Sequence, residues 1–153
     1  MLKGAKSKLP WRNVSIEEAR LLYGDNLEAD TISPVTGLFE GFTVTVQNIQ
    51  LAIWLGVKRI YLVGVDHFYL EDQHDNAGAK VVHSGENHFH RDYRKPGELV
   101  NNAPVDKMNR CYQLMHEIAV GAGIEIINLS RNTKLDVYKK MDLDKYIMSL
   151  NND

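Results

Sequence analysis

The residues best suited to chemistry lie in the segment 67–104, which holds five of the six histidines. Within it, His88-Phe89-His90 would place two imidazoles on one face of an extended segment, and Arg91, Asp92 and Tyr93 follow directly. Histidine gains or loses a proton near neutral pH, which suits acid–base catalysis, and nearby cations with a tyrosine hydroxyl suit a phosphate leaving group. The pattern favours catalysis or substrate binding here. A metal site formed by His88, His90 and Asp66 and an ordinary surface loop are the alternatives.

Asp66 must be positioned by the strand that precedes it. The run Ile60–Val65 contains no polar residue, which predicts a strand buried on both faces, of the kind found in parallel sheets. Ligands of open α/β sheets bind beyond the carboxyl ends of strands, so Asp66 and His67 are candidates for binding or catalysis. The alternative is that Asp66 only caps a turn.

A second predicted strand, Ile124–Leu129, leads into Ser130-Arg131-Asn132-Thr133. If the two strands are parallel and joined by a right-handed crossover, this segment lies at the same sheet edge as Asp66. Arg131 suits a phosphate clamp because its planar guanidinium matches phosphate oxygens. The alternative is a solvated loop arginine.

Three helices are predicted around these strands. The first is capped by Thr43 or Thr45 and runs to about Leu55, with Val44, Asn48, Leu51 and Leu55 on one face and Val46, Ile49 and Ile53 beside it. Its N-terminus could attract an anion, although simple capping is the favoured interpretation. The second begins at Pro104, with Asn102 as a candidate cap, and buries Val105, Met108, Tyr112, Met115, Ala119 and Ala122. The third spans Asp142–Leu150 with Leu143, Ile147 and Leu150 as its apolar stripe.

The remaining segments carry weaker patterns. A capping box predicts a helix from Ser15 to about Tyr23, and a short strand is expected around 31–33. The residues 38–40 between two glycines are expected to form a turn. The segment 67–104 shows little periodicity and is predicted to be a long loop.

Composition restricts the classes of protein. The 153 residues, 44% hydrophobic and 25% charged, predict a single α/β domain over residues 1–153. A net charge of −2 gives no overall attraction to nucleic acid or anionic membrane. Cys111 is the only cysteine, which excludes an internal disulfide. No apolar run of about 18 residues and no signal peptide are found, so a cytoplasmic protein without a membrane span is expected.

The segments Gly41–Ala52 and Leu55–His67 resemble the 6-hydroxymethylpterin diphosphokinase-like family, and Asn87–Tyr93 and Ile127–Leu135 match its order and spacing. The resemblance covers about residues 36–148, with 1–35 as a poorly matched lead-in. It implies a Rossmann-like three-layer α/β fold with a small, mostly parallel sheet. The glycine-rich first strand, turn and helix of the family has no counterpart in residues 1–41, so the chain resembles the carboxyl part of that domain. The exposed sheet edge this would leave invites self-association into a homo-oligomer.

The resemblance also implies a function. Bacterial members of the family are associated with surface-glycan or flagellin glycosylation, and their fold is similar to that of bacterial sialyltransferases that use CMP-sugars. By that likeness, His88 or His90 would be the catalytic base and Asp66 would orient the substrate. The residues expected to contact substrate or phosphate are Thr43, His67, Arg91, Tyr93, Ser130, Arg131 and Asn132. The partners would be a nucleotide-sugar or nucleotide and a small-molecule or glycan acceptor, with no cofactor required.

Two alternatives stay open. Archaeal members of the family are pterin pyrophosphokinases, and such an activity would need Mg²⁺ to bridge phosphates, with Asp66 and either Asp72 or Asp75 as ligands. The third interpretation is a catalytically inactive binding or scaffold domain, suggested by the absent glycine-rich segment.

Overall fold

The computed structural model describes residues 13–14, 28–35, 37–68, 79–81, 99–101 and 103–151. Its strands are β1 (Asn13–Val14), β2 (Leu38–Phe39), β3 (Arg59–Leu62), β4 (Ala79–Val81), β5 (Leu99–Asn101), β6 (Glu125–Asn128) and β7 (Lys139–Lys140). Its helices are α1 (Val44–Trp54), α2 (Val105–Gly121) and α3 (Leu143–Leu150), and a short 3-10 helix spans Ala29–Thr31.

The central sheet is three-stranded and parallel, in the order β3-β6-β7. Ile60 pairs with Ile126 and Ile127 pairs with Lys139 across the two ladders. The strands β1 and β2 form a separate parallel pair, and β4 and β5 form an antiparallel pair. A small, mostly parallel sheet with helices is an α/β arrangement, as the sequence predicts.

One face of the central sheet carries the core. Ile60 and Leu62 of β3 and Ile126 of β6 pack into a cluster with buried residues of α1 and α2. On the opposite face, Ile127 of β6 and Leu129 just after it are buried. Strand β3 is more open there, since Arg59 and Val63 are exposed and Tyr61 is half-buried against Tyr146 of α3, with ring centroids 4.8 Å apart. The prediction that β3 is buried on both faces was therefore wrong. The apolar run is continuous, but in the described residues α1 and α2 cover only one of its faces.

Helix α1 begins after Thr43 and ends after Trp54, close to the predicted limits. Its buried residues are Val46, Ile49, Gln50 and Ile53. Of the two predicted groups of apolar positions, Val46, Ile49 and Ile53 are the buried ones, whereas Val44 and Leu55 of the other group are 66% and 68% exposed. Apolar residues surround most of this helix, so periodicity did not identify the side that meets the sheet.

Gln50 is fully buried because its amide takes the place of a strand beside β2. Its Oε1 accepts from the backbone N–H of Phe39 at 2.7 Å, and its Nε2 donates to the Phe39 carbonyl at 3.0 Å. Both polar groups of Phe39 are thereby satisfied away from water, which a leucine at position 50 would leave unpaired.

Helix α2 confirms the most regular pattern in the chain. It starts at Val105 after Pro104, and Met108, Tyr112, Met115 and Ala119 are all buried. Cys111 and Ile118 join them on the same face, while Ala122 lies beyond the helix and is exposed. The proposed cap Asn102 lies outside the described residues.

Both α1 and α2 stop at a glycine in the left-handed region, Gly56 and Gly123, each with φ near +70°. After Gly123, the N–H of Ile124 returns to the carbonyl of Ala119 at 2.8 Å, which closes the helix end. Each glycine turns the chain directly into the following strand. Two successive helix–glycine–strand units therefore set β3 and β6 side by side.

Three weaker predictions were wrong. The expected strand around 31–33 is replaced by the 3-10 helix and an isolated bridge between Ser33 and Gly37. The expected turn at 38–40 contains β2, because its backbone pairs with β1 and with Gln50. The segment 67–104, expected to be an irregular loop, contains β4 and β5. The helix predicted for 15–23 lies outside the described residues.

Helix α3 begins as predicted, with Oδ1 of Asp142 accepting from the N–H of Lys145 at 2.8 Å. None of its residues is buried, and the outer part of its predicted apolar stripe, Ile147 and Leu150, is exposed. The helix borders the more open face of the sheet. No helix within the described ranges combines the length and apolar character needed to cross a bilayer.

Candidate functional site

The carboxyl ends of β3 and β6 are fastened to each other by side-chain and backbone hydrogen bonds. The N–H of Val65 donates to Oγ of Ser130 at 2.8 Å, and Oγ1 of Thr133 donates to the Val65 carbonyl at 2.7 Å. The N–H of Lys134 donates to the carbonyl of Asp66, also at 2.7 Å. Asp66 and the segment 130–133 therefore share one edge of the sheet, as two parallel strands predict. We call this edge, residues 65–67 and 130–134, the carboxyl rim.

Asn128, the last residue of β6, holds the rim segment 130–134 in place. Its Nδ2 donates to Oγ1 of Thr133 at 3.2 Å and to the carbonyl of Leu135 at 3.3 Å. Its Oδ1 accepts from the N–H of Ser130 at 3.0 Å. A fully buried amide thus holds both ends of the turn that carries Arg131 and Asn132.

His67 adopts a strained backbone conformation, with φ of 50°, although it is not glycine. Its side chain is 8% exposed, and its Nε2 lies 2.8 Å from Oδ1 of Asn109 on α2. Because an amide oxygen only accepts, Nε2 carries the hydrogen of this bond. The imidazole also meets the ring of Tyr112 edge-on, with centroids 5.3 Å apart. Non-glycine residues held in the left-handed region concentrate at functional sites, which supports a role for this corner.

The N-terminus of α1 lies at the same end of the molecule, joined to the rim through Tyr112. The pKa of the Tyr112 hydroxyl is raised above its ordinary value, mainly by burial. Hydrogen bonding to the side chains of Thr45 and Thr43 offsets part of this rise. Tyr112 thus contacts His67 on one side and the first turn of α1 on the other. A helix N-terminus carries partial positive charge, so this end of the sheet is suited to an anion.

Thr43 itself caps α1, since its Oγ1 accepts from the N–H of Thr45 at 3.3 Å. Phe42, just before it, has a positive φ of 56°, as His67 does, and no other described non-glycine residue shares this feature. The ammonium of Lys107 lies 5.5 Å from the centre of the Phe42 ring, a cation–π contact that places positive charge near this turn.

The residues predicted to meet substrate on the rim differ in exposure. Asp66 and Asn132 are exposed, whereas Ser130 is buried and its hydroxyl is used to hold Val65. Arg131 is exposed and donates from Nη2 to Oδ1 of Asp144 on α3 at 2.8 Å. Exposed ion pairs contribute little to stability, so a phosphate could compete with Asp144 for this guanidinium.

The other predicted residues of the site are His88, His90, Arg91 and Tyr93, which lie outside the described residues. Their roles as base and phosphate contacts stay predictions, as does the magnesium alternative that uses Asp72 or Asp75. Within the ranges the structure describes, no three His, Cys, Asp or Glu side chains are grouped so as to hold a metal ion.

The sequence did not point to Asn109 or Asn128, nor to Tyr112 as anything but a core residue. Asn128 is a polar residue within the mostly apolar predicted strand Ile124–Leu129, and that interruption is the signal that could have identified it. Asn109 lies three residues before Tyr112 on α2, so both side chains reach the same corner. Asn109 belongs to the site because it contacts His67, which is 42 residues away in the sequence, so no local pattern could have identified it.

Comparisons of the chain with family models, with curated proteins and with solved structures gave no match. The family resemblance drawn from the motifs stays a prediction. The carboxyl rim, with α1 and α2 beside it, is therefore the basis for inferring function.

Proposed function

We propose that this protein is a cytoplasmic transferase that acts on a nucleotide-activated sugar of the CMP-sugar type, in bacterial surface-glycan or flagellin glycosylation. Its sheet would be part of a Rossmann-like three-layer domain. The observation that carries the proposal is the carboxyl rim, where two parallel strands end beside the N-terminus of α1. Nucleotide ligands of α/β sheets bind at such an edge because strand ends and helix N-termini meet there.

The described residues supply distinct roles at this edge. Asp66 extends an exposed carboxylate from the end of β3, where it can accept hydrogen bonds from sugar hydroxyls. Arg131 and the first turn of α1, with Thr43, supply positive charge for a phosphate. His67, held by Asn109, and Asn132 complete the polar lining. Ser130 acts indirectly, by fixing the position of Val65.

The proposed reaction transfers the sugar to an acceptor hydroxyl. The acceptor oxygen attacks the anomeric carbon and loses its proton to His88 or His90, while the bond from that carbon to the phosphate oxygen breaks. CMP leaves with the bonding electron pair, and the positive groups at the rim stabilise the charge that develops on its phosphate.

The test is binding of CMP and a CMP-sugar, measured by thermal stabilisation and by calorimetry. Arg131→Met should weaken CMP binding about tenfold, because one charge-assisted contact to phosphate is lost. Arg59→Met is the matched control. Arg59 is also exposed and ion-paired, to Glu125 at 3.1 Å, but it lies at the opposite end of the same strands. The Arg59→Met variant should bind CMP as tightly as the parent protein.

Cytidine, which lacks the phosphate, should bind much more weakly than CMP and should be indifferent to Arg131→Met. The proposal fails if millimolar CMP and CMP-sugar give no stabilisation, or if the two arginine variants behave alike. Magnesium-dependent consumption of ATP with a hydroxymethylpterin would replace it by the pyrophosphokinase alternative. Absence of any nucleotide binding would favour the scaffold alternative.

A further inference from the structure

A cavity of about 600 Å³ lies at the end of the sheet opposite the carboxyl rim. It opens where α1 and α2 end and where β3 and β6 begin. Its volume falls within the range of about 300–1,000 Å³ that is usual for small-molecule sites. None of the described residues of the carboxyl rim lines it, so it is a separate feature.

The lining of this cavity combines buried apolar residues with exposed ones. Ile32, Ile53 and Ile124 line it and are nearly fully buried. Trp54 lines it as well but is 47% exposed, at the last position of α1. A half-exposed indole beside an apolar hollow offers a flat surface for a ring or an apolar chain.

The charges around the cavity favour a cationic ligand. Two helix ends contribute to the wall, through Gly56 after α1 and Gly123 after α2, and each helix C-terminus carries partial negative charge. Among the described lining residues, the carboxylate of Asp30 offsets the ammonium of Lys58. With these two side-chain charges cancelled, the partial charges of the two helix C-termini make the surroundings of the cavity negative. An indole face also attracts cations.

We propose that this cavity binds an organic ammonium ion that carries an aromatic or apolar body. The ammonium group meets Asp30 and the two helix C-termini, and the apolar body packs on Trp54 and the three lining isoleucines. The site is distinct from the nucleotide site of the proposed function, from which it is separated by the length of β3. CMP and the amine should therefore bind without competing.

The experiment uses Trp54 as its own reporter. The chain has two tryptophans, Trp11 and Trp54, so Trp11→Phe leaves Trp54 as the only tryptophan, whose emission is excited selectively over that of the tyrosines. We titrate this variant with 2-phenylethylammonium, with 2-phenylethanol as the neutral isostere and with 3-phenylpropanoate as the anion. The ammonium should change Trp54 emission saturably with a Kd of about 1 mM and bind roughly fivefold more tightly than the alcohol. The anion should bind most weakly.

Charge variants then locate the ammonium. Asp30→Asn should weaken ammonium binding about fivefold without changing binding of the alcohol. Asp106→Asn, at an exposed carboxylate in the first turn of α2, is the matched control and should have no effect. Lys58→Met should strengthen ammonium binding about twofold, because it removes the opposing charge.

Ligand-observed saturation-transfer NMR on the unmodified chain repeats the comparison in case Trp11→Phe impairs folding. The proposal is overturned if the ammonium shows no saturable binding by either method. It is also overturned if the alcohol binds as tightly as the ammonium, or if Asp30→Asn and Asp106→Asn behave alike.

Discussion

At the scale of single residues, two buried amides determine the geometry that surrounds the candidate site. Gln50 satisfies the backbone of Phe39, and Asn128 holds the turn that follows β6. Each side chain is fully buried and each makes three hydrogen bonds, so each replaces backbone pairing where regular structure stops.

Asn128→Asp should destabilise the protein by about 2–4 kcal/mol. The substitution replaces the donating amide group with an acceptor, which would then face the carbonyl of Leu135 without a hydrogen between them. Urea unfolding at neutral pH measures the change. Asn132→Asp, at an exposed position of the same turn, should stay within about 0.5 kcal/mol of the parent protein. Equal effects of the two variants would show that Asn128 does not hold the turn.

At the scale of elements, the orientation of α1 depends on a close approach between backbone and side chain. A Cβ added at Gly41 would lie 2.3 Å from Cβ of Val46. Only glycine lets the chain pass from β2 into α1 at this distance, with Val46 fully buried. The same turn brings Phe42 and Thr43 to the end of the molecule that carries the rim.

Gly41→Ala should therefore destabilise the fold by about 1–3 kcal/mol, because α1 must shift to admit the new methyl group. Gly121→Ala is the matched substitution, since Gly121 is the last residue of α2 and a Cβ there meets nothing within 4 Å. It should be neutral or stabilising by up to about 1 kcal/mol, because alanine favours helix. Thermal and urea unfolding compare the two. A neutral Gly41→Ala would mean that the approach to Val46 is not tight in solution.

At the scale of the whole molecule, the core includes a pair of tyrosines that link the helical layer to the segment between β6 and β7. The hydroxyl of Tyr138 donates to the Tyr112 carbonyl at 3.0 Å, and the two rings meet edge-on. Both side chains are nearly fully buried. Burial raises the pKa of the Tyr138 hydroxyl far above its ordinary value, and the nearby Tyr112 raises it further.

Because the pKa of Tyr138 is higher in the folded protein than in the unfolded chain, the free energy of unfolding falls as the pH becomes alkaline. Below pH 10 both folded and unfolded Tyr138 are protonated, so its contribution is complete. Above pH 10 the unfolded chain ionises there while the folded protein does not, and stability falls by about 1.4 kcal/mol per pH unit.

Tyr138→Phe should remove the decrease in stability that Tyr138 causes above pH 10. At neutral pH the variant should be less stable by about 1 kcal/mol, because the hydrogen bond to the Tyr112 carbonyl is missing. The variant should therefore be less stable than the parent at pH 8 and should approach or exceed its stability at pH 11. Urea unfolding of both proteins over this range measures the difference. A constant difference at every pH would contradict the assignment.

The sequence by itself determined which segments become α1, α2, α3, β3 and β6, because their periodicity, caps and terminal glycines are local properties. It also placed Asp66 and the segment 130–133 together, because that follows once β3 and β6 are parallel. It did not reveal β2 or β7, whose two residues each pair through partners distant in the chain.

Only the tertiary structure decided which faces and partners are used. The buried side of α1, the contact of His67 with Asn109 and the pairing of Arg131 with Asp144 each depend on the packing of another element. An amphipathic pattern records that a segment has an apolar face, but not what that face or its polar neighbours will meet. A hydrogen bond across many residues becomes visible only after the chain has folded, because nothing in the local sequence fixes its second partner.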